Sequence, residues 1–433
     1  MLFSDINIID ENLEFHKHHW VGTVDGKIAY LSKHAPEKAT EAQYGEVYDG
    51  NGKLLMSGFY NAHAHAPMTL LRGYAESLPL HNWLNDMVFP FEAKIKGEDA
   101  YWAMLLACAE MARYGVVSFS DMYYHSQERI NAVSECGMKM NLCEGLIAFE
   151  EKPYRDYPIY ETNEYLINNY HNSAQGRIMI DYNIHAEYTS NPVAVADIAA
   201  LAKEKGLRIH LHASETKAEH EECKQRRGGL TPIQYFESLG VFENPTTAAH
   251  CVWVEEADIK ILADQHAFVA CNPASNMKLG SGFAPIPQML EQGVSVALGT
   301  DGVASNNNHD MFQDMYLMSL VYKGSTLDPA VMTPYQVLNA ASRTGALSQG
   351  RSDCGILKLD AKADLTVLDI SGPSWTPSIN PLYNVVFAGH GSDVCLTMVD
   401  GEVVYRDGAW PTIDIERAKA ETEAAAQRII SEL

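Results

Sequence analysis

The chain has 433 residues, 46% hydrophobic and 20% charged, which is ordinary globular composition and length enough for one large domain with a smaller one. Asp and Glu number 56 against 32 Lys and Arg, giving a formal net charge of -24; so acidic a surface repels phosphate backbones and excludes a nucleic-acid polymer as partner. A single nucleoside or base is not excluded, because its binding depends on a local pocket.

Residues 1–13 mix acids with short apolar stretches, and neither a basic-then-apolar leader nor a bilayer-length apolar run is present. The expectation is a cytoplasmic protein with no membrane partner. The eight cysteines are scattered without a Cys-x-x-Cys pair, which predicts free buried thiols in a reducing compartment.

Residues 3–48 and 356–407 are rich in short β-like pieces and turn signals, such as Val24-Asp25-Gly26 and Val399-Asp400-Gly401. Neither buries much surface alone, so they predict one small β-sandwich domain built from both chain ends, residues 1–56 and 355–433. Between them, eight apolar runs end in polar residues: 54–65, 115–124, 138–149, 177–188, 207–215, 246–254, 267–275 and 294–302. Runs of this length bounded by turn residues suit buried parallel strands. Residues 192–205 and 255–265 read as amphipathic helices, and Gly206 and Gly293 stand where glycine ends a helix. Strand-then-helix units of this number predict an α/β fold, a (β/α)8 TIM barrel over residues 57–354. Residues 413–433 predict a surface helix rich in Ala and Glu.

Histidines and acids gather at the ends of these runs, where barrel active sites lie. His63-Ala64-His65 closes the first run, and side chains two apart on a strand share a face, so both imidazoles can meet one ion. The fifth run ends His210-Leu211-His212-Ala213-Ser214-Glu215. His210 and His212 share a face, and His212 lies nearer the rim. Glu215 can move protons without binding metal. His250 ends the sixth run and is either a core histidine or part of the site. Asp301, between Gly299 and Gly302 at the end of the eighth, is either a ligand or a helix N-cap. Imidazole and carboxylate ligands without thiolate suit zinc, with iron or manganese as alternatives.

At these residues the sequence resembles the amidohydrolase superfamily, and within it the methylthioadenosine/S-adenosylhomocysteine deaminases and their chlorohydrolase relatives. The resemblance begins at Gly58-Phe59-Tyr60-Asn61-Ala62-His63-Ala64-His65 and runs through Trp83-Leu84, His185, His212-Ala213-Ser214-Glu215 and Ala249-His250-Cys251. It continues in Asn272-Pro273-Ala274-Ser275-Asn276, Gly299-Thr300-Asp301-Gly302, Ser305 and Ala363-Asp364-Leu365-Thr366-Val367-Leu368.

The resemblance implies one divalent metal ion, zinc for preference, on His63, His65, His212 and Asp301. It implies Glu215, His250 and Asp301 as the acid–base set, and Trp83, His185, Ser305 and Glu215 at the substrate. The reaction implied is hydrolytic deamination of an amino-substituted heteroaromatic ring, an adenosine or 5'-modified adenosine first, by a homo-oligomer. Asn82 stands where nucleoside-deaminating members carry a ribose-holding glutamate. Glu144 stands where an arginine would hold an amino-acid carboxylate, so a neutral substrate is expected, although Arg155 lies in the following loop. The alternatives are deamination or dechlorination of guanine, cytosine, a pterin or a triazine, and a non-catalytic barrel. Glu215 and the complete ligand set favour deamination.

Overall fold

The computed structural model describes residues 1–433. The N-terminal segment supplies β1 (Leu2–Ile9), β2 (Phe15–Val24), β3 (Lys27–Ser32), β4 (Val47–Asp49) and β5 (Lys53–Ser57). Shorter strands follow, alternating with helices: β6 (Phe59–Ala64), β7 (Val116–Tyr123), β8 (Lys139–Glu144), β9 (Ile178–Ile180), β10 (Tyr182–Ile184), β11 (Ile209–Ala213), β12 (Thr246–His250), β13 (Phe268–Cys271) and β14 (Ser295–Leu298). The C-terminal segment adds β15 (Leu365–Asp369), β16 (Val394–Val399) and β17 (Glu402–Arg406).

The chain ends pair with each other. β1 to β5 and β15 to β17 form one mixed sheet in the order β17-β16-β15-β5-β1-β2-β3, with β4 on β1. β15 runs antiparallel to β5, so Leu365 lies opposite Ser57 and Asp369 opposite Lys53. This sheet has its own apolar cluster, including Phe3, Ile6, Val21, Leu55, Leu365 and Leu396, separate from the main core. The first predicted run spans two strands, because Gly58 breaks it. A Cβ there would lie 2.3 Å from the Val117 side chain, so only glycine lets β5 pass into β6 against β7.

The central strands form two parallel sheets, β6-β7-β8-β9 and β10-β11-β12-β13-β14. Only Asp181 separates β9 from β10, where the sequence predicts one continuous run. At the far edges, the Asp301 N–H donates to the His63 carbonyl at 2.9 Å, and Asn61 Nδ2 donates to Thr300 Oγ1 at 2.7 Å. Ala62, Ala249, Ala270 and Ala297 pack together and join β6 to β12, β13 and β14. The predicted helices form at Pro192–Lys205, Glu256–Asp264 and Ile415–Glu432, the last placing Ala425 and Ile429 in a cluster with Phe91.

Beneath the strand starts, buried Lys139 of β8 pairs with Asp364 and, at 2.8 Å, with Asp400, tying the terminal sheet to the parallel strands. All eight cysteines are free and seven are buried. No helix is long and apolar enough to cross a membrane.

Candidate active site

The ends of β6, β11, β12 and β14 converge. His63, at the end of β6, is fully buried, and its ring lies 4.9 Å from that of His65 and 4.8 Å from that of His212. Second partners fix which nitrogen each imidazole offers. His65 Nδ1–H donates to the Met122 carbonyl at 2.5 Å, and His212 Nδ1–H donates to the His185 carbonyl at 2.7 Å. Both Nε2 atoms therefore carry lone pairs, yet they face each other at 3.3 Å. His63 Nδ1 pairs with His210 Nε2 at 2.9 Å, leaving His63 Nε2 buried without a partner. The Asp301 Oδ1 atom lies 3.5 Å from His63 Nε2 and 3.4 Å from His65 Nε2.

Lone pairs aimed at one another and at a carboxylate repel unless a cation lies among them. His63, His65 and His212 offer ligand atoms within 4.8 Å of one another, as do His63, His250 and Asp301. The donor set therefore fits one divalent ion. Of the two histidines of β11, His212 lies with His63 and His65, while His210 stands behind His63. Burial lowers the His63 imidazole to about 4 and pushes His212 well below its ordinary value, keeping both neutral and able to ligate.

Backbone geometry aims the aspartate. Asp301 itself adopts the left-handed conformation, φ 62°, and the glycines on either side of it serve close approach. A Cβ at Gly299 would lie 2.4 Å from Asn272 Oδ1, and one at Gly302 would lie 2.7 Å from Met68 Sδ. Ser275 Oγ and the Gly302 N–H donate to the two Asp301 oxygens at 2.6 and 2.8 Å.

Glu215 and His250 stand beside this set. His250 Nε2 lies 3.8 Å from Glu215 Oε2 and 4.0 Å from Asp301 Oδ2, while its Nδ1–H donates to Asn276 Oδ1 at 2.8 Å. Burial works against the charged His250 imidazole, yet the Glu215 and Asp301 carboxylates raise it above its ordinary value. Burial raises Glu215. Glu219 anchors this turn, its carboxylate accepting from the Ser214 and Glu215 N–H groups at 3.0 and 2.7 Å. The Thr216-x-x-Glu219 spacing is a capping-box pattern that sequence reading passed over, as it did the supporting roles of Ser275 and Asn276.

A cavity of about 670 Å³, part of it open to solvent, leads to these residues. Trp83, His185 and Ser305 line it. Burial lowers the His185 imidazole to about 4. Two expected substrate residues do not line it. Asn82 is exposed and donates to Asp86 Oδ2 at 2.9 Å, because the chain turns through Trp83–Val88 with the indole, not the amide, facing inward. Glu144 lies 3.5 Å from buried Arg129 Nη2, and burial pushes its carboxyl up to about 7, so it does not set the charge of the pocket. Arg155 is half exposed and reaches Asp197 and Glu204, away from the cavity. Arg72 braces Glu110 and the Asn307 carbonyl, and Phe283 is 54% exposed and outside the lining. His220 and His309 are buried supports, bonded to Ser214 Oγ at 3.2 Å and Thr300 Oγ1 at 3.1 Å. Glu92 and Tyr123 line the cavity and were not expected from sequence.

Buried imidazoles and a carboxylate gathered round one point, with a buried glutamate beside them, fit a metal-dependent hydrolase. Residues 54–404 match the model of the amidohydrolase family, and the chain belongs to that family. The 5-methylthioadenosine/S-adenosylhomocysteine deaminase of Syntrophomonas wolfei is 40% identical over 91% of this chain and 91% of its own. The 5'-deoxyadenosine deaminase of Methanothermobacter thermautotrophicus is 39% identical over 88% of this chain and 89% of its own. Among solved structures, an adenosine deaminase from Xanthomonas campestris with bound zinc superposes with a TM-score of 0.91 at 25% identity, covering 99% of this chain and 98% of that one. Atrazine chlorohydrolase from Arthrobacter aurescens shares the fold, with a TM-score of 0.90 at 20% identity over 98% of this chain and 99% of that one.

Proposed function

We propose that this chain is a zinc-dependent aminohydrolase that converts adenosine or a 5'-modified adenosine to the inosine analogue and ammonia. The observation that carries the reading is the contact of His250 Nε2 with both Glu215 and Asp301, at 3.8 and 4.0 Å, directly beside the His63, His65 and His212 cluster. Its relatives at 40% and 39% identity carry adenosine-type deaminase names.

In this reading His63, His65, His212 and Asp301 hold the ion, which supplies Lewis acidity that brings the pKa of water toward neutrality. Glu215 takes one proton from the attacking water and delivers it to the ring nitrogen beside the amino-bearing carbon. The water oxygen becomes the ring oxo group, and its second proton leaves with ammonia through His250 and Asp301. The raised Glu215 carboxyl suits both halves of that transfer. His185 and Ser305 border the ring, and Trp83 closes over it.

No Lys or Arg lines the cavity, whereas Glu92, Glu215 and Asp301 do. That favours a neutral nucleoside over one bearing an amino-acid carboxylate. The same reading takes the two parallel sheets as arcs of one closed (β/α)8 barrel over residues 57–354. Residues 1–56 and 355–433 are then the composite β domain, a small sandwich wrapped on its own core. Ammonia release from adenosine, 5'-deoxyadenosine, methylthioadenosine, S-adenosylhomocysteine, adenine, guanine, cytosine, a pterin and melamine tests it. Adenine nucleosides should react and S-adenosylhomocysteine should lag, whereas turnover of free bases or triazines alone overturns it.

A further inference from the structure

The hairpin of β1 and β2, outside the cavity lining, gathers a second set of imidazoles and carboxylates. Asp10 follows β1, Glu14 precedes β2, and His16 and His19 stand on β2. Asp10 Oδ2 lies 2.9 Å from His16 Nε2, and Asp10, Glu14 and His16 offer ligand atoms within 4.8 Å of one another. Residues three apart on a strand ordinarily point to opposite faces. Here a bulge, with His18 left-handed at φ 59°, sets His16 opposite Ile8 and His19 opposite Ile6, and the two rings come within 5.5 Å. His63 and His250 of the catalytic cluster stand 5.4 Å apart.

The remaining bonds of these groups leave the ligand atoms free. Asp10 Oδ1 accepts from the Asn12 and Glu14 N–H groups, both at 2.9 Å, which holds the turn and leaves Oδ2 to His16. Neither Asp10 nor Glu14 pairs with a lysine or arginine. His19 is 8% exposed, and its Nδ1–H donates to the Lys17 carbonyl at 3.1 Å, so its Nε2 keeps a lone pair that takes no hydrogen bond. A hydrogen bond from His16 to Asp10 occupies two of the four side chains, whereas a cation occupies them all.

We propose that Asp10, Glu14, His16 and His19 form a second metal site, structural in kind, for a first-row divalent cation, with zinc as the ion. Two imidazoles and two carboxylates complete four-coordination without the open position that a catalytic zinc keeps. The ion clasps the hairpin whose Ile9, Leu13 and Phe15 pack on the main core, and so pins the terminal sheet to the parallel strands.

Wild type, His16→Ala, Asp10→Asn and Glu14→Gln are stripped with chelator and titrated with zinc chloride, with bound zinc measured by equilibrium dialysis and Tm followed alongside. Wild type should bind one ion per chain more than His16→Ala or Asp10→Asn, and its Tm should rise further as that ion binds. Glu14→Gln should hold the additional ion at least about 10-fold more weakly, no less than the loss of a group behind a ligand costs. His34→Ala alters an exposed histidine elsewhere and should keep it. All five chains share His63, His65, His212 and Asp301, so the catalytic ion cancels from the comparison. Equal zinc binding by wild type and His16→Ala overturns the proposal, as does loss of the additional ion from His34→Ala. If His16→Ala does not fold, Asp10→Asn, which keeps the Oδ1 acceptor of the turn, decides in the same way.

Discussion

His210 Nε2 lies 2.9 Å from His63 Nδ1, ring stacked on ring, so one histidine of β11 turns a ligand of β6 toward the site while its neighbour His212 enters the site itself. This pairing fixes the His63 tautomer. His210→Ala should weaken metal retention by about 10- to 100-fold, the usual effect of removing a group behind a metal ligand. Zinc content after dialysis against graded chelator checks it; retention equal to wild type would contradict the role.

Glu219 holds the two backbone N–H groups that set the direction of Glu215. Glu219→Ala should lower kcat by about 10-fold or more while zinc stoichiometry stays at wild type, since catalytic groups tolerate little displacement. Metal analysis beside steady-state kinetics separates this outcome from simple loss of the ion.

Lys139 is 2% exposed between Asp364 and Asp400. Lys139→Met strands two buried acids and should cost about 3 to 5 kcal/mol of stability, as breaking buried ion pairs does. Urea unfolding with zinc present measures the loss; a change under about 1 kcal/mol would show the acids to be neutral or hydrated.

Burial pushes the Asp314 carboxyl from 3.8 up to about 8, against opposing hydrogen bonds from Asn306 and the Ala274 N–H. The folded chain then holds this proton more tightly than the unfolded one, so its contribution to stability falls as pH rises across that interval. Asp314→Asn has no such titration. Its stability relative to wild type should grow between pH 5 and pH 8, by more than about 1.4 kcal/mol, the value of one pKa unit. Denaturant curves of both proteins at the two pH values test this; a constant difference would contradict it.

The strands and the metal set were legible because an ion demands His and Asp at strand ends, and buried parallel strands demand continuous apolar runs. His63, His65, His212 and Asp301 meet both demands at once. Asn82 and Glu144 were misplaced for a physical reason. Which side chain enters the cavity depends on the twist of the segment Trp83–Val88 and on Arg129 waiting beneath β8, and neither leaves a periodic trace. The capping box at Thr216 and Glu219 was readable, but its effect on Glu215 appears only once Ser214 turns left-handed at φ 51°.

Deamination through Glu215 is the central claim, and the direct test compares zinc-loaded wild type with Glu215→Gln on adenosine, following inosine and ammonia together. The wild type should form them in equal amounts, and the variant should bind zinc normally yet lose about 100- to 10,000-fold in kcat, the range for removing a general acid–base group. No inosine from the wild type, or undiminished turnover by the variant, would contradict the account.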